Sequence, residues 1–130
     1  MTILGIGIDL VSISSFDKQF ECQRTVLNKL FTFVELRDAR NKNLSASHHL
    51  AVRWAAKEAV IKAWSSSNFS KPPILREEFY RSIEVITDIW GRPKIKLYGK
   101  VAKILKNATI YLSLVHEANI AAAVVIIEQA

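Results

Sequence analysis

The stretch SASHHLAVRWAAKEAVIKAW, residues 45–64, decides the fold. It is rich in alanine and contains neither glycine nor proline, so it predicts a helix, the longest in the chain. Ser45 or Ser47 can cap its start, and the pattern ends near Trp64. On a helical wheel Glu58 and Lys62 project among Ala51, Ala55 and Ala59, a polar pair inside a small-residue stripe. Taken alone, such a pair is most often a surface i,i+4 contact worth about 0.2–0.5 kcal/mol. Arg53, Lys57 and Trp64 lie on another side, with Trp54 between. A basic stripe beside an aromatic can hold phosphates and stack a base. A solvated helix face is the commoner origin of such a stripe.

Upstream, Ile3 to Ile13 reads as a strand with Ile6, Ile8 and Leu10 on one face and Gly5, Gly7 and Asp9 on the other. The glycines leave that second face bare, so a ligand or another backbone can approach it closely. Asp9 is anomalous within an apolar strand; a strand-end cap of the next turn is its simplest alternative role. Ser14 and Ser15 can cap a short helix to about Arg24, and a second helical piece covers Val26 to Lys29. Thr32 with Glu35 forms a capping box, so a helix starts at Phe33, and Asn41 to Asn43 breaks it.

Downstream, residues 65–68 and Pro72-Pro73 read as loop. Ile83 to Thr87 and Lys94 to Tyr98 form a hairpin around a turn at Trp90 to Pro93. Gly99 to Lys106 offers a short helix. Ile110 to Leu114 and Ile120 to Ile127 pair around a polar turn holding His116, Glu117 and Asn119. The order is strand, helices, then further strands. It predicts an α+β class with an antiparallel sheet and a long helix packed against it. Ile120 to Ile127 is apolar at every position, so both of its faces need cover.

The chain has 130 residues, half of them apolar, which is one domain over 1–130. Charged residues make up 23%, which excludes wholesale disorder. Cys22 is the single cysteine, so no internal disulfide forms, in keeping with a reducing compartment. The net charge of +6 attracts anions of any class, from nucleic acid to acidic proteins. No apolar window is long enough to span a membrane. The amino-terminal residues lack a basic start, and Asp9 interrupts their apolar run, so a cytoplasmic location is the expectation. One cysteine and three histidines lack zinc-ligand spacing. His48 and His49 read as exposed. No Gly-Lys-Ser/Thr follows Gly5-Ile6-Gly7, so there is no Walker loop. Two carboxylates, one on a strand and one on a helix, suit a hard cation such as Mg²⁺.

These motifs together resemble one family. Gly5-Ile6-Gly7-Ile8-Asp9-Leu10-Val11 resembles the amino-terminal signature of the holo-acyl-carrier-protein synthases, the small phosphopantetheinyl transferases. Arg53-Trp54-Ala55-Ala56-Lys57-Glu58-Ala59 with Lys62-Ala63 is similar to their helical signature, and Gly91-Arg92-Pro93 to their hairpin. Ser113-Leu114-Val115-His116 followed by Ala121-Ala122-Ala123 resembles their carboxy-terminal segment. The match spans nearly the whole chain in order and is most like the actinobacterial branch.

The resemblance implies a homotrimer with coenzyme A sites at subunit interfaces. It implies transfer of 4′-phosphopantetheine from coenzyme A to a serine of an apo acyl carrier protein, or of the carrier domain of a fatty acid synthase. Adenosine 3′,5′-bisphosphate is released. The family's magnesium ligands fall on Asp9 and Glu58. Its coenzyme-binding residues fall on Arg53, Trp54, Lys57, Lys62 and His116. Glu58, directly or through a metal-bound water, is the expected base for the serine hydroxyl, with Lys62 beside the pyrophosphate. Neither nucleic acid nor membrane is an expected partner.

Three departures stand out. Trp64-Ser65-Ser66-Ser67 replaces a glycine-rich loop, and Val115 replaces a small hydroxyl residue. Ser15 and Cys22 stand where arginines that meet the acidic carrier are common, leaving Lys18, Arg24 and Lys29 nearby. The alternatives are a small basic RNA-binding protein and a non-catalytic module of the same fold. The first lacks aromatics interleaved with Lys and Arg in a strand. The second does not explain why Asp9 and Glu58 are both present.

Overall fold

The computed structural model of the chain describes residues 1–41, 45–73 and 77–130. It runs β1 (Thr2–Ser12), α1 (Ile13–Cys22), α2 (Arg24–Asn28), α3 (Phe33–Arg40) and α4 (Ala46–Ser66). A 3-10 turn (Glu77–Ser82) leads to β2 (Ile83–Thr87), β3 (Pro93–Leu97), α5 (Gly99–Ile104), β4 (Ala108–Glu117) and β5 (Ile120–Gln129). The class is α+β. The strands divide between two sheets: an antiparallel β1-β5-β4 sheet and a separate β2-β3 hairpin.

α4 is the spine. It is buried on almost every side, its alanines and aliphatic residues enclosed together with Ser47, His49, Arg53 and Lys57. Ser45 caps it, its hydroxyl accepting from the His48 amide at 3.2 Å. It packs on β1 and β5 on one side and meets α1, α3 and β2 on others. The bare face of β1 is what lets it approach. A Cβ at Gly5 would lie 1.9 Å from the Ala63 carbonyl oxygen, and one at Gly7 would lie 1.9 Å from that of Ala59. The backbone that glycine admits is therefore the helix itself.

Local signals place the other elements. Thr32 and Glu35 form the expected capping box at α3. α1 starts two or three residues earlier than expected, capped by Ser12 rather than Ser14 or Ser15. Asn41 ends α3, and residues 42 and 43 of the expected break lie outside the described residues. α4 runs into the expected loop as far as Ser66, whose hydroxyl donates to the Ala63 carbonyl at 2.8 Å.

The turn between β4 and β5 is shorter than its polar sequence suggests. β4 continues through His116 and Glu117, because its exposed edge tolerates polar residues. Ala118, at φ 52°, and Asn119 then make the turn. The Asn119 side-chain oxygen accepts from the Ser14 amide at 2.9 Å, tying this turn to the start of α1.

Register puts two unlike faces on the three-stranded sheet. Gly5, Gly7 and Asp9 share the inner face with Ile127, Val125 and Ala123 of β5, and with Ile110, Leu112 and Leu114 of β4. Ile6, Ile8 and Leu10 share the outer face with Ile126, Val124 and Ala122, and with Tyr111, Ser113 and Val115. α4 covers the inner face. In the single chain the outer one is bare, with Ile8 59% exposed.

Candidate active site

Asp9 ends the inner-face row of β1 and is held from α4 by Lys62. The Lys62 ammonium donates to Asp9 Oδ1 at 2.9 Å and to the Ile8 carbonyl at 3.2 Å. The Lys62 side chain is 55% exposed and that of Asp9 13%, so the pair is open to a ligand. Glu58 lies one helical turn before Lys62, half-buried, with no ion pair or hydrogen bond to the described residues. Asp9 and Glu58 line one open groove with Ser12, Ser15, Phe16 and Trp54. The helix spacing and the bare strand face thus bring the two expected metal-ligating carboxylates together, with the expected lysine beside them.

The donor set suits a hard cation. Among the described residues no group of three or more His, Cys, Asp or Glu side chains gathers. A two-carboxylate site facing an open groove leaves positions for water and phosphate oxygens, the coordination Mg²⁺ prefers.

Trp54 reaches the same groove. Its ring lies 4.6 Å from that of Tyr80 and 6.2 Å from that of Phe31, both tilted against it, contacts that hold it at the groove wall. Tyr80 comes from the 3-10 turn, and no local sequence signal joins it to Trp54.

Lys57 stands apart from the other expected coenzyme-binding residues: within the single chain it is fully buried and does not line the groove. Its ammonium forms an ion pair with Glu35 at 2.8 Å, also fully buried, and donates to the carbonyls of Tyr80, at 2.7 Å, and Ile83. These three partners match its three donors. Burial pushes its pKa below the ordinary lysine range, opposed by the Glu35 charge. A solvated face does not describe it.

Arg53 faces the same way. Its guanidinium is buried, with Nε unpartnered among the described residues. Burial lowers its pKa, and the charges of Glu35 and Asp38 raise it. It does not line the groove. His116 stands on the inner face, across Ala121 from Val11, at the far edge of the sheet from Asp9. Its ring packs perpendicular to that of His48 at 5.3 Å. His48 is therefore half-buried, and His49 is buried; both were expected to be exposed.

The chain matches the 4′-phosphopantetheinyl transferase superfamily over residues 5–125. It is 59% identical over 129 residues to the holo-[acyl-carrier-protein] synthase of Mycolicibacterium smegmatis, covering 99% of each chain. Its structure is similar to that of the Mycobacterium tuberculosis acyl carrier protein synthase, with a TM-score of 0.82 and 49% identity over 99% of this chain and 100% of that one. It is also similar to a "Chronobacterium ammoniagenes" acyl carrier protein synthase solved in complex with coenzyme A. There the TM-score is 0.89 and the identity 34%, over 100% of this chain and 99% of the other.

Proposed function

The chain belongs to the 4′-phosphopantetheinyl transferase superfamily, and on that premise we propose that the groove of Asp9 and Glu58, with Lys62 beside Asp9, is where it works. It transfers 4′-phosphopantetheine from coenzyme A to a serine of an apo acyl carrier protein and releases adenosine 3′,5′-bisphosphate. Likeness along the whole chain sets the RNA-binding alternative aside.

The observation that carries the site is the meeting of two carboxylates from separate elements in one groove with a lysine 2.9 Å from one of them. Asp9 and Glu58 would hold Mg²⁺, which would supply positive charge to the pyrophosphate oxygens. Glu58, the carboxylate without a partner among the described residues, takes the proton of the attacking serine hydroxyl, directly or through a water. Lys62 gives its charge to the phosphate that leaves, exchanging its contact with Asp9 for the developing anion. Trp54 walls the groove against the coenzyme. Arg53 and His116 stand outside this groove within one chain, so they act on coenzyme A only if a neighbouring subunit brings the parts together. The bare outer sheet face supports such assembly as a homotrimer. Among the described residues no helix is long and apolar enough to cross a membrane, and a cytoplasmic location fits the substrates.

The test is direct. The protein is incubated with coenzyme A, Mg²⁺ and an apo carrier, and the carrier is weighed by mass spectrometry. A gain of one phosphopantetheine on the carrier serine is expected. An unchanged carrier mass would overturn the reading.

A further inference from the structure

The net charge of this molecule is not spread over it. Arg92, Lys94, Lys96, Lys100, Lys103 and Lys106 follow one another with no acidic residue between Asp88 and Glu117. The remaining twelve cations match the twelve acids, so this one segment carries a charge equal to the whole excess of +6.

The fold displays that charge. On β3, Ile95 and Leu97 turn inward while Lys94 and Lys96 alternate with them into solvent. On α5, Val101 is buried, and Lys100 and Lys103 stand three residues apart on an exposed side. Lys106 follows just past the helix, also exposed. Arg92 is engaged by Asp88 at 2.7 Å; the five lysines form no ion pair among the described residues. Lys94 and Lys96 are about 7 Å apart along the strand, and Lys100 and Lys103 are about 5 Å apart along the helix axis, so neighbouring charges lie within a Debye length of about 8 Å.

The first helix is electrically different. In α1 Asp17 and Glu21 flank Lys18, and Arg24, at the start of α2, lies 3.8 Å from Glu21. It has no comparable excess to offer an anionic partner.

We propose that the β3–α5 lysine face, Lys96, Lys100, Lys103 and Lys106, is a steering surface for the acidic carrier protein. This rests on the transferase reading, which supplies a protein substrate; acyl carriers are acidic, and charge complementarity selects them. Unpaired surface charges that lie outside the reacting groove raise the rate of encounter and leave the chemical step alone. Lys96, Lys100, Lys103 and Lys106 do not line the groove of Asp9 and Glu58.

The experiment compares association rates, by stopped flow with a labelled apo carrier, for wild type, Lys100→Glu/Lys103→Glu/Lys106→Glu and Lys18→Glu/Arg24→Glu. A Lys100→Gln/Lys103→Gln/Lys106→Gln variant guards against folding artefacts. At low salt the triple reversal is expected to slow association about tenfold, with the glutamine variant intermediate. The salt dependence should flatten, while kcat and the coenzyme A KM stay at wild-type values. An association rate and salt slope unmoved by the triple reversal, with the first-helix reversal carrying the loss, overturn the proposal. So does a triple reversal that abolishes binding to a single-stranded RNA probe and spares the carrier. Fast, lysine-dependent association without transfer by the wild type would instead sink the transferase reading and leave the surface standing.

Discussion

Glu35 shows how far one residue's role can be read locally. Its capping role at α3 follows from the spacing to Thr32, and the Thr32 amide does donate to Glu35 Oε1 at 2.9 Å. Its other oxygen accepts from the Val85 amide at 3.0 Å, and Lys57 joins it from α4. Those partners are distant in sequence, and no local pattern announces them. Lys57 therefore read as a surface or ligand-binding cation when it is a buried tie between α4, α3 and β2. Lys57→Met leaves a buried carboxylate without its counter-charge and should cost about 3–5 kcal/mol. Adding Glu35→Gln removes the stranded charge and should recover a good part of that. Calorimetric Tm values for both variants check it, and a Lys57→Met protein within about 0.5 kcal/mol of wild type would show the pair to be dispensable.

Elements were legible where their signals are local. The alternation of β1, the alanine-rich α4 and the β2-β3 hairpin all follow from the sequence and stand in the fold. What covers each face was not legible. The bare glycine face of β1 admitted either a ligand or a backbone, and only the packed structure shows the carbonyls of Ala59 and Ala63 against it. His116, at the end of β4, reads from sequence as part of a turn, because polar residues on an exposed strand end look like loop. Since β1 and α4 supply the two carboxylates of the groove, their close contact sets the spacing between them. A Gly7→Ala variant pushes a methyl group against the Ala59 carbonyl, and overpacking of this kind costs about 1–3 kcal/mol. It should lower Tm and reduce transfer more than it raises either KM, since Asp9 moves relative to Glu58. A Gly7→Ala enzyme with wild-type Tm and kcat would mean the helix yields freely.

At the scale of the whole molecule, the outer sheet face is the unfinished part. Ile6, Ile8, Leu10, Val115 and Val124 form one exposed apolar surface, larger than scattered surface residues make. The sequence foretold that the last strand needs cover on both sides, and α4 supplies only one. A homotrimer closing on this face would give the last strand its second cover. Light scattering of the wild type should give three times the chain mass, and Ile8→Glu should dissociate it. A stable, active monomer would contradict the assembly. The most direct measurement is transfer to an apo carrier by Asp9→Ala and Glu58→Gln at limiting Mg²⁺, with circular dichroism and light scattering confirming that both keep the wild-type fold and assembly. Each substitution is expected to reduce kcat by about a hundredfold or more, whereas near-normal turnover in both would contradict the assignment of the groove as the active site.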